Sequence, residues 1–231
     1  MPEHATAGAA AADLLERSPW AAQLAPAERA RVAGELVERA FAAGGLVAAK
    51  GGPVDAWIGV ADGLVKVSSV SAEGKSVTFT GVPAGGWFGE GSLLKREPRR
   101  YDVVALRASR IAFMPRATFQ RLLDTSIAFN RHLLGQLNER LGQFIGTVEH
   151  DRLLGPDARV AQCLAQLFNP VLYPGVGSRL AISQEEIGYL SGLSRQRANQ
   201  ALHALERAGI VRCEYGGLVV LDLPRLRGFA G

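Results

Sequence analysis

The sequence predicts an α+β chain in three parts: an antiparallel β-rich unit preceded by short helices, one long central helix, and a compact domain built on a helix–turn–helix with a hairpin behind it. Three observations predict it. Between Gly44 and Met114 apolar and polar residues alternate, broken by Gly-Gly, Asp-Gly and Glu-Gly pairs, which is the pattern of short strands joined by tight turns. From Ile127 the apolar positions step by three and four, the spacing of one helix face. After Leu154 a helix, a capping box, a Gly-containing turn and a further helix follow in order. The expected limits are residues 1–120, 121–154 and 155–231.

Composition narrows the class. With 231 residues and 48% hydrophobic content the chain can bury one large core or two modest ones. A net charge of +4 suits a polyanionic partner without requiring one. No apolar run approaches the ~20 residues that span a bilayer. The opening "MPEHATAGAAAADLLERSPW" is Ala-rich and acidic, with no basic stretch ahead of an apolar one, which argues against a secretory signal. A cytoplasmic protein without membrane contact is expected. Cys163 and Cys213 stand far apart among apolar-patterned residues and are expected as buried free thiols. Two cysteines are too few for a four-thiolate iron–sulfur or zinc site within one chain, and no metal site is expected.

Residues 13–42 read as short helices: "LAPAERARVAGELVERAF" places Leu24, Val32, Leu36 and Val37 at apolar positions, with Pro26 near a helix start. The Ala-rich first dozen residues read as a low-complexity lead. The alternating segment that follows argues for an antiparallel barrel or sandwich. In the long helix Ile127, Asn130, Leu134, Leu137, Leu141, Phe144 and Val148 form a heptad seam in which only Asn130 is polar. So narrow a stripe predicts a helix packed against a copy of itself in a parallel dimer, with a single buried Asn setting register. The other reading is a helix lying on its own domain's core.

The last part begins with the helix "DARVAQCLAQLF", then "NPVLYPGVGSRLAI", a Pro/Gly-broken loop running into a short strand. In "SQEE", Ser183 and Glu186 have capping-box spacing at the head of a helix from Gln184 to about Leu190. A turn at Ser191-Gly192-Leu193 leads to "SRQRANQALHALERAGIV", which buries Ala198, Ala201, Leu202 and Leu205 and exposes Ser194, Arg195, Gln196, Arg197, Asn199 and Gln200. A hairpin around Tyr215-Gly216-Gly217 closes the unit. Helix, Gly turn, helix and hairpin make a winged helix-turn-helix, whose second helix enters the DNA major groove by its N-terminal end. Arg195 can bond guanine O6 and N7 together, and Gln196, Asn199 or Gln200 can address adenine. Ser194 and Arg197 suit phosphates, which position without reading sequence. Ser183 and Gln184, at the head of the first helix, join the same DNA-binding set. A merely solvated Arg/Gln-rich face leaves the cap, the Gly turn and the hairpin unexplained.

Nearly the whole chain resembles the cyclic-AMP receptor / fumarate–nitrate regulator superfamily of bacterial transcription factors. The resemblance is carried by "ISQEEIGYLSGLSRQRANQALHALERAGIVRCEYGGLVVLD", by "GLVKV", by "GGWFGEGSLL" followed by "PRRYDVVAL", and by the long helix between. It implies a homodimer with an N-terminal cyclic-nucleotide-binding β-roll of jelly-roll type, a central dimerisation helix and a winged helix-turn-helix that binds a palindromic operator in double-stranded DNA. RNA polymerase is implied as a further partner. It also implies a phosphate-binding cassette: Gly89, Glu90, Gly91 and Ser92 would form the turn and Arg99 the cationic partner, with Arg100 beside it. Backbone N–H groups would hold the phosphate, the Arg would neutralise it, and the Glu would accept from a ribose hydroxyl.

Departures from the family pattern bear on the effector. Arg99-Arg100 stands where cyclic-AMP receptors have Arg-Ser, and Phe144 and Ile145 stand where their central helix offers Thr and Ser to adenine. A small anionic effector of cyclic-nucleotide type is therefore expected, and cyclic AMP itself is not. In the reading helix Gln196 replaces a frequent Glu and Gln200 a frequent Arg, so a different preferred operator is expected. No Cys precedes Cys163, against the iron–sulfur mode of the oxygen sensors, and no His lies between His4 and His132, against the haem mode of the carbon-monoxide sensors.

Two other functions stand beside this one. The pocket could be vestigial and the regulator active without ligand. An enzyme would need a nucleophile, a phosphate loop or a metal motif, and none is found; Glu185 and Glu186 are adjacent carboxylates, but a helix first turn explains them.

Overall fold

The computed structural model describes residues 8–230. Its first half is a roll of strands β1 Val37–Phe41, β2 Leu46–Ala48, β3 Ala56–Asp62, β4 Leu64–Val70, β5 Ser76–Pro83, β6 Trp87–Phe88, β7 Asp102–Ala105 and β8 Ser109–Pro115. They pair antiparallel in two sheets, ordered β1–β8–β3–β6 and β2–β7–β4–β5. The predicted turns sit where the glycines allow: Gly63, between β3 and β4, has φ 95°, a left-handed conformation that a side chain would strain. The inward residues of the two sheets, Ile58, Val60, Val65, Val67, Val82, Phe88, Val103 and Ile111, make one apolar cluster.

The N-terminal segment departs from its reading in two places. Helix α1, Ala9–Arg17, begins within the Ala-rich lead, ahead of the helical reading from residue 13, because alanine has the highest helix propensity and Leu14 and Leu15 bury against the roll, each 1% exposed. After a 3₁₀ turn at Ala21–Gln23, helix α2 spans Pro26–Glu35. The helical reading then fails: β1 pairs with β8 in register from Val37↔Phe113 to Phe41↔Ser109. Tertiary pairing at the roll's edge overrides local preference there.

The chain's three tryptophans share one knot under these helices. Trp57 stacks on Trp87 at 4.7 Å, and Trp20, Phe119 and Phe129 meet them edge-on or tilted. The Trp87 Nε1–H donates to Ser18 Oγ at 2.8 Å.

Helix α3 (Glu90–Lys95) interrupts the roll, α4 (Arg116–Thr125) ends it, and α5 runs over Ile127–Leu153. Ser126 caps α5 by accepting from Phe129 N–H at 3.2 Å. Two stripes share this helix. Phe129, Leu133 and Gln136 are buried against the roll, while Ile127, Leu134, Leu141, Phe144, Ile145 and Val148 are 42–72% exposed. Leu137 is half-buried. Asn130 is not a bare polar residue in the outer seam, because its Nδ2 donates to Leu123 O and Ser126 O of its own chain. It ties α5 to the end of α4.

The last unit contains α6 (Pro156–Gln166), β9 (Arg179–Leu180), α7 (Gln184–Ser191), α8 (Arg195–Arg207), the hairpin β10 (Val211–Glu214) and β11 (Gly217–Val220), and a short α9 (Leu223–Arg227) absent from the sequence reading. Its core joins Leu164 and Leu167 with Ile187, Ala198, Ala201, Leu202, Leu205 and Leu218. Cys163 and Cys213 are free, as expected, but half-buried rather than fully buried; Cys163 borders the cleft between the roll and α6, and burial of its sulfur pushes the thiol pKa up to about 12.

Candidate functional site

The first candidate surface is the outer edge of the helix-turn-helix. Ser183 Oγ accepts from Glu186 N–H, and the Glu186 carboxylate accepts from Ser183 N–H, so the capping box is complete. Gly192 ends α7 with φ 67°, as a left-handed helix end requires. Gly188 lets the two helices close: a Cβ there would lie 2.9 Å from Leu193 O. Ser194 then caps α8, its Oγ accepting from Arg197 N–H at 3.2 Å.

Beyond the cap, Arg195, Gln196 and Gln200 are exposed, while Arg197 and Asn199 are half-buried. Arg197 Nη2 lies 2.6 Å from Asp157 Oδ1 of α6, so its charge already has a partner. Together with Ser183, Gln184 and the hairpin tip at Tyr215, Arg195 lines a groove of about 410 Å³. Tyr215 is fully exposed at that tip. Of the residues expected to meet DNA, Ser183, Gln184 and Arg195 line this groove, Ser194, Gln196 and Gln200 are exposed along α8, Asn199 is half-buried, and Arg197 is turned toward α6.

The second candidate lies in the roll. Gly89 takes φ 91° immediately before α3, and a Cβ on it would stand 3.1 Å from Arg99 Nη1; glycine lets the guanidinium close on the turn. Arg99 is only 4% exposed, and its Nε and Nη1 have no hydrogen-bond partner among the described residues. Its guanidinium lies 5.7 Å from the centre of the Tyr101 ring, and burial holds the Tyr101 hydroxyl pKa above its ordinary value. Arg99 lines a cavity of about 450 Å³ with Val47, Ala48, Ile58 and Phe113. A buried cation lacking a counter-charge is costly, and an anion would satisfy both idle donors.

The other residues expected in a phosphate-binding turn divide. Ser92 is buried and Gly91 half-buried in the first turn of α3. Glu90, 2% exposed, accepts from Arg140 Nε at 2.9 Å and from Trp57 Nε1 at 3.3 Å. Burial opposes the Arg140 charge, and the adjacent Glu90 carboxylate outweighs it, raising the Arg140 pKa. Arg100 points to solvent and pairs with Glu97 at 2.9 Å, away from Arg99. Phe144 and Ile145 are exposed on the outer stripe of α5.

Arg140 escaped the sequence reading. Its signal is the spacing Phe129, Leu133, Gln136, Arg140, steps of four, three and four along the inner face, where a lone cation needs a buried partner. Among the described residues no group of three or more His, Cys, Asp or Glu could hold a metal ion, and no helix is long and apolar enough to cross a membrane.

Comparisons with known proteins agree with this geometry. Residues 38–126 match the cyclic nucleotide-binding domain family and residues 158–229 the Crp-like helix-turn-helix domain family. The chain is 30% identical over 173 residues to the cyclic AMP receptor protein of Thermus thermophilus, covering 74% of this chain and 77% of that one. It is 28% identical over 194 residues to the transcriptional regulator SdrP of the same organism, 82% and 92% of the two chains. A crystal structure of a CRP/FNR-family transcriptional regulator from Thermus thermophilus superposes with a TM-score of 0.58 at 26% identity, over 84% of this chain and all of that one. These relatives are transcription regulators rather than enzymes, and with a cyclic-nucleotide-binding roll, a long helix and a Crp-like helix-turn-helix in order, the chain belongs to the CRP/FNR superfamily of bacterial transcription regulators.

Proposed function

We propose that the chain works as a homodimer that reads a palindromic operator with α8 and is switched by a small anion held at Arg99. The observation that carries the reading is the exposed edge of Arg195, Gln196 and Gln200, capped by Ser194 and flanked by the wing tip. The dimer reading is supported by the outer stripe of α5, where apolar side chains stand in water at heptad spacing. Paired α8 helices one DNA turn apart, ~34 Å, would meet successive major grooves. The effector reading rests on the two idle donors of buried Arg99. An anion moves the switch only by its affinity difference between two states of the dimer. RNA polymerase is the machinery that such a regulator would act upon.

Selection of bound sequences from random duplex DNA, with and without cyclic AMP, cyclic GMP or cyclic di-GMP, tests these parts together. The expected product is a palindrome whose recovery depends on one of the nucleotides. Arg195→Ala should weaken binding to it by ~1–3 kcal/mol and relax one base position. Recovery of no enriched duplex, or an unaltered Arg195→Ala variant, overturns the assignment of α8.

A further inference from the structure

We infer that Arg107 and Tyr173 are positioning residues for the reading helices: they clasp the C-terminal unit to the roll, and this docking fixes the angle at which α8 is presented. The inference rests on the DNA-reading function proposed above. The covalent crossing is slight. Leu154 and Gly155, both extended, join the end of α5 to Pro156, and two extended residues do not by themselves hold a domain at one angle.

Three contacts do. Leu172 and Tyr173, from the loop after α6, are buried in the core of the roll beside Val60, Val65, Val82 and Phe88. Tyr173 is 1% exposed, and its hydroxyl donates to Gly81 O at 3.0 Å. In exchange, Leu64 of β4 belongs to the core of the C-terminal unit. Second, Arg107, in the turn between β7 and β8, donates from Nε and Nη2 to the two oxygens of Glu186 at 3.1 and 2.5 Å. That carboxylate also accepts from Ser183 N–H. The group that caps α7 is therefore the group the roll grips, and the planar two-point geometry transmits orientation as well as charge. Third, Lys66 of β4 sits over the Tyr189 ring of α7 at 4.7 Å.

Glycine makes the seat. A Cβ on Gly81 would stand 3.1 Å from Leu167 and Leu190, and one on Gly86 would stand 2.8 Å from Tyr173 Cδ1. Both positions belong to the roll and both would meet the other unit's side chains. Interfaces between domains that lack such contacts leave relative motion as the default.

The test separates the clasp from the cap. Glu186→Gln keeps a residue competent for the capping box while removing the charge that Arg107 grips. Arg107→Met removes the grip and leaves the cap, and Gly81→Val drives a wedge into the seat from the roll's side. Each variant is put through random-duplex selection, scored for half-site spacing, and through nitrogen-15 relaxation of the whole chain without DNA. The expected result is an unchanged half-site sequence, acceptance of spacings one or two base pairs off the preferred one, affinity at the preferred spacing about tenfold lower, and separate tumbling of the two units where the wild type tumbles as one. Variants that keep the wild-type spacing overturn the inference, whether or not their tumbling changes. If the wild type selects no duplex at all, the DNA-reading function fails and the positioning role falls with it; tumbling that is common in the wild type and split in the variants then places the fault in that reading rather than in the docking.

Discussion

Replacing Leu134 by glutamine should weaken the dimer proposed above while leaving each subunit folded. Leu134 is 67% exposed on the outer stripe of α5, so its side chain contributes little to the subunit's own core. Full burial of a leucine is worth roughly 1.5–3 kcal/mol; two-thirds of that is about 1–2 kcal/mol per copy. A two-fold seam contains the residue twice, which gives about 2–4 kcal/mol per dimer. At about 1.4 kcal/mol per tenfold change in affinity, self-association should weaken roughly 30-fold to several hundred-fold. Glutamine has nearly the helix propensity of leucine, so circular dichroism should not change. Sedimentation equilibrium over a range of concentrations reads the association constant. A wild-type chain that is monomeric, or a Leu134→Gln variant within threefold of wild type, would refute the seam.

Two further outcomes follow from named groups. Arg99→Met should raise the melting temperature by a few degrees, because removing a buried, unsatisfied cation recovers about 1–3 kcal/mol, and it should abolish any thermal shift that cyclic nucleotides give the wild type; a lowered melting temperature would show the guanidinium to be structural. Acid should unfold the chain partly through Glu35: burial works against its charge, but bonds from Arg121, Thr118 and Arg31 outweigh this and hold its pKa down to about 2 from 4.5. A carboxylate whose pKa falls on folding stabilises above its unfolded value, so the contribution is complete above pH 4.5 and is lost as pH drops from there toward about 2. With 30% of the Glu35 side chain exposed, screening reduces the full linkage to about 1–2 kcal/mol. Arg121→Met should flatten the urea-midpoint profile across that range, and an equally steep profile would rule out the Glu35–Arg121 pair as its source.

What was legible was local. Ser183 with Glu186, Gly192 and Ser194 announce two caps and a turn within a dozen residues, and each rule concerns neighbours in the chain. The strands of the roll were legible for the same reason, through turn pairs such as Asp62-Gly63. Residues Val37–Phe41 misled because their pairing with β8 lies about seventy residues downstream, and nothing local distinguishes an edge strand from a helix end there. Asn130 has a contact that a heptad count does not show: the count assigns a face, while its amide nitrogen donates to carbonyls of Leu123 and Ser126. The turn proposed to hold an effector is marked by resemblance alone, which does not reach the wiring around it. Arg140 reaches Glu90 across fifty positions, and Arg107 reaches Glu186 across 79; helical spacing can place Arg140 on the inner face of α5, but it does not name a partner so far away in sequence.

The tryptophan knot has a practical consequence. Because every indole of the chain lies in one cluster, its ultraviolet emission comes from a single locality. One of those rings, Trp57, is hydrogen-bonded to the Glu90 carboxylate, next to the turn that Arg99 faces. The protein thus carries a built-in optical gauge of that turn, and a titration followed by emission wavelength can be run on the unlabelled, unmodified chain.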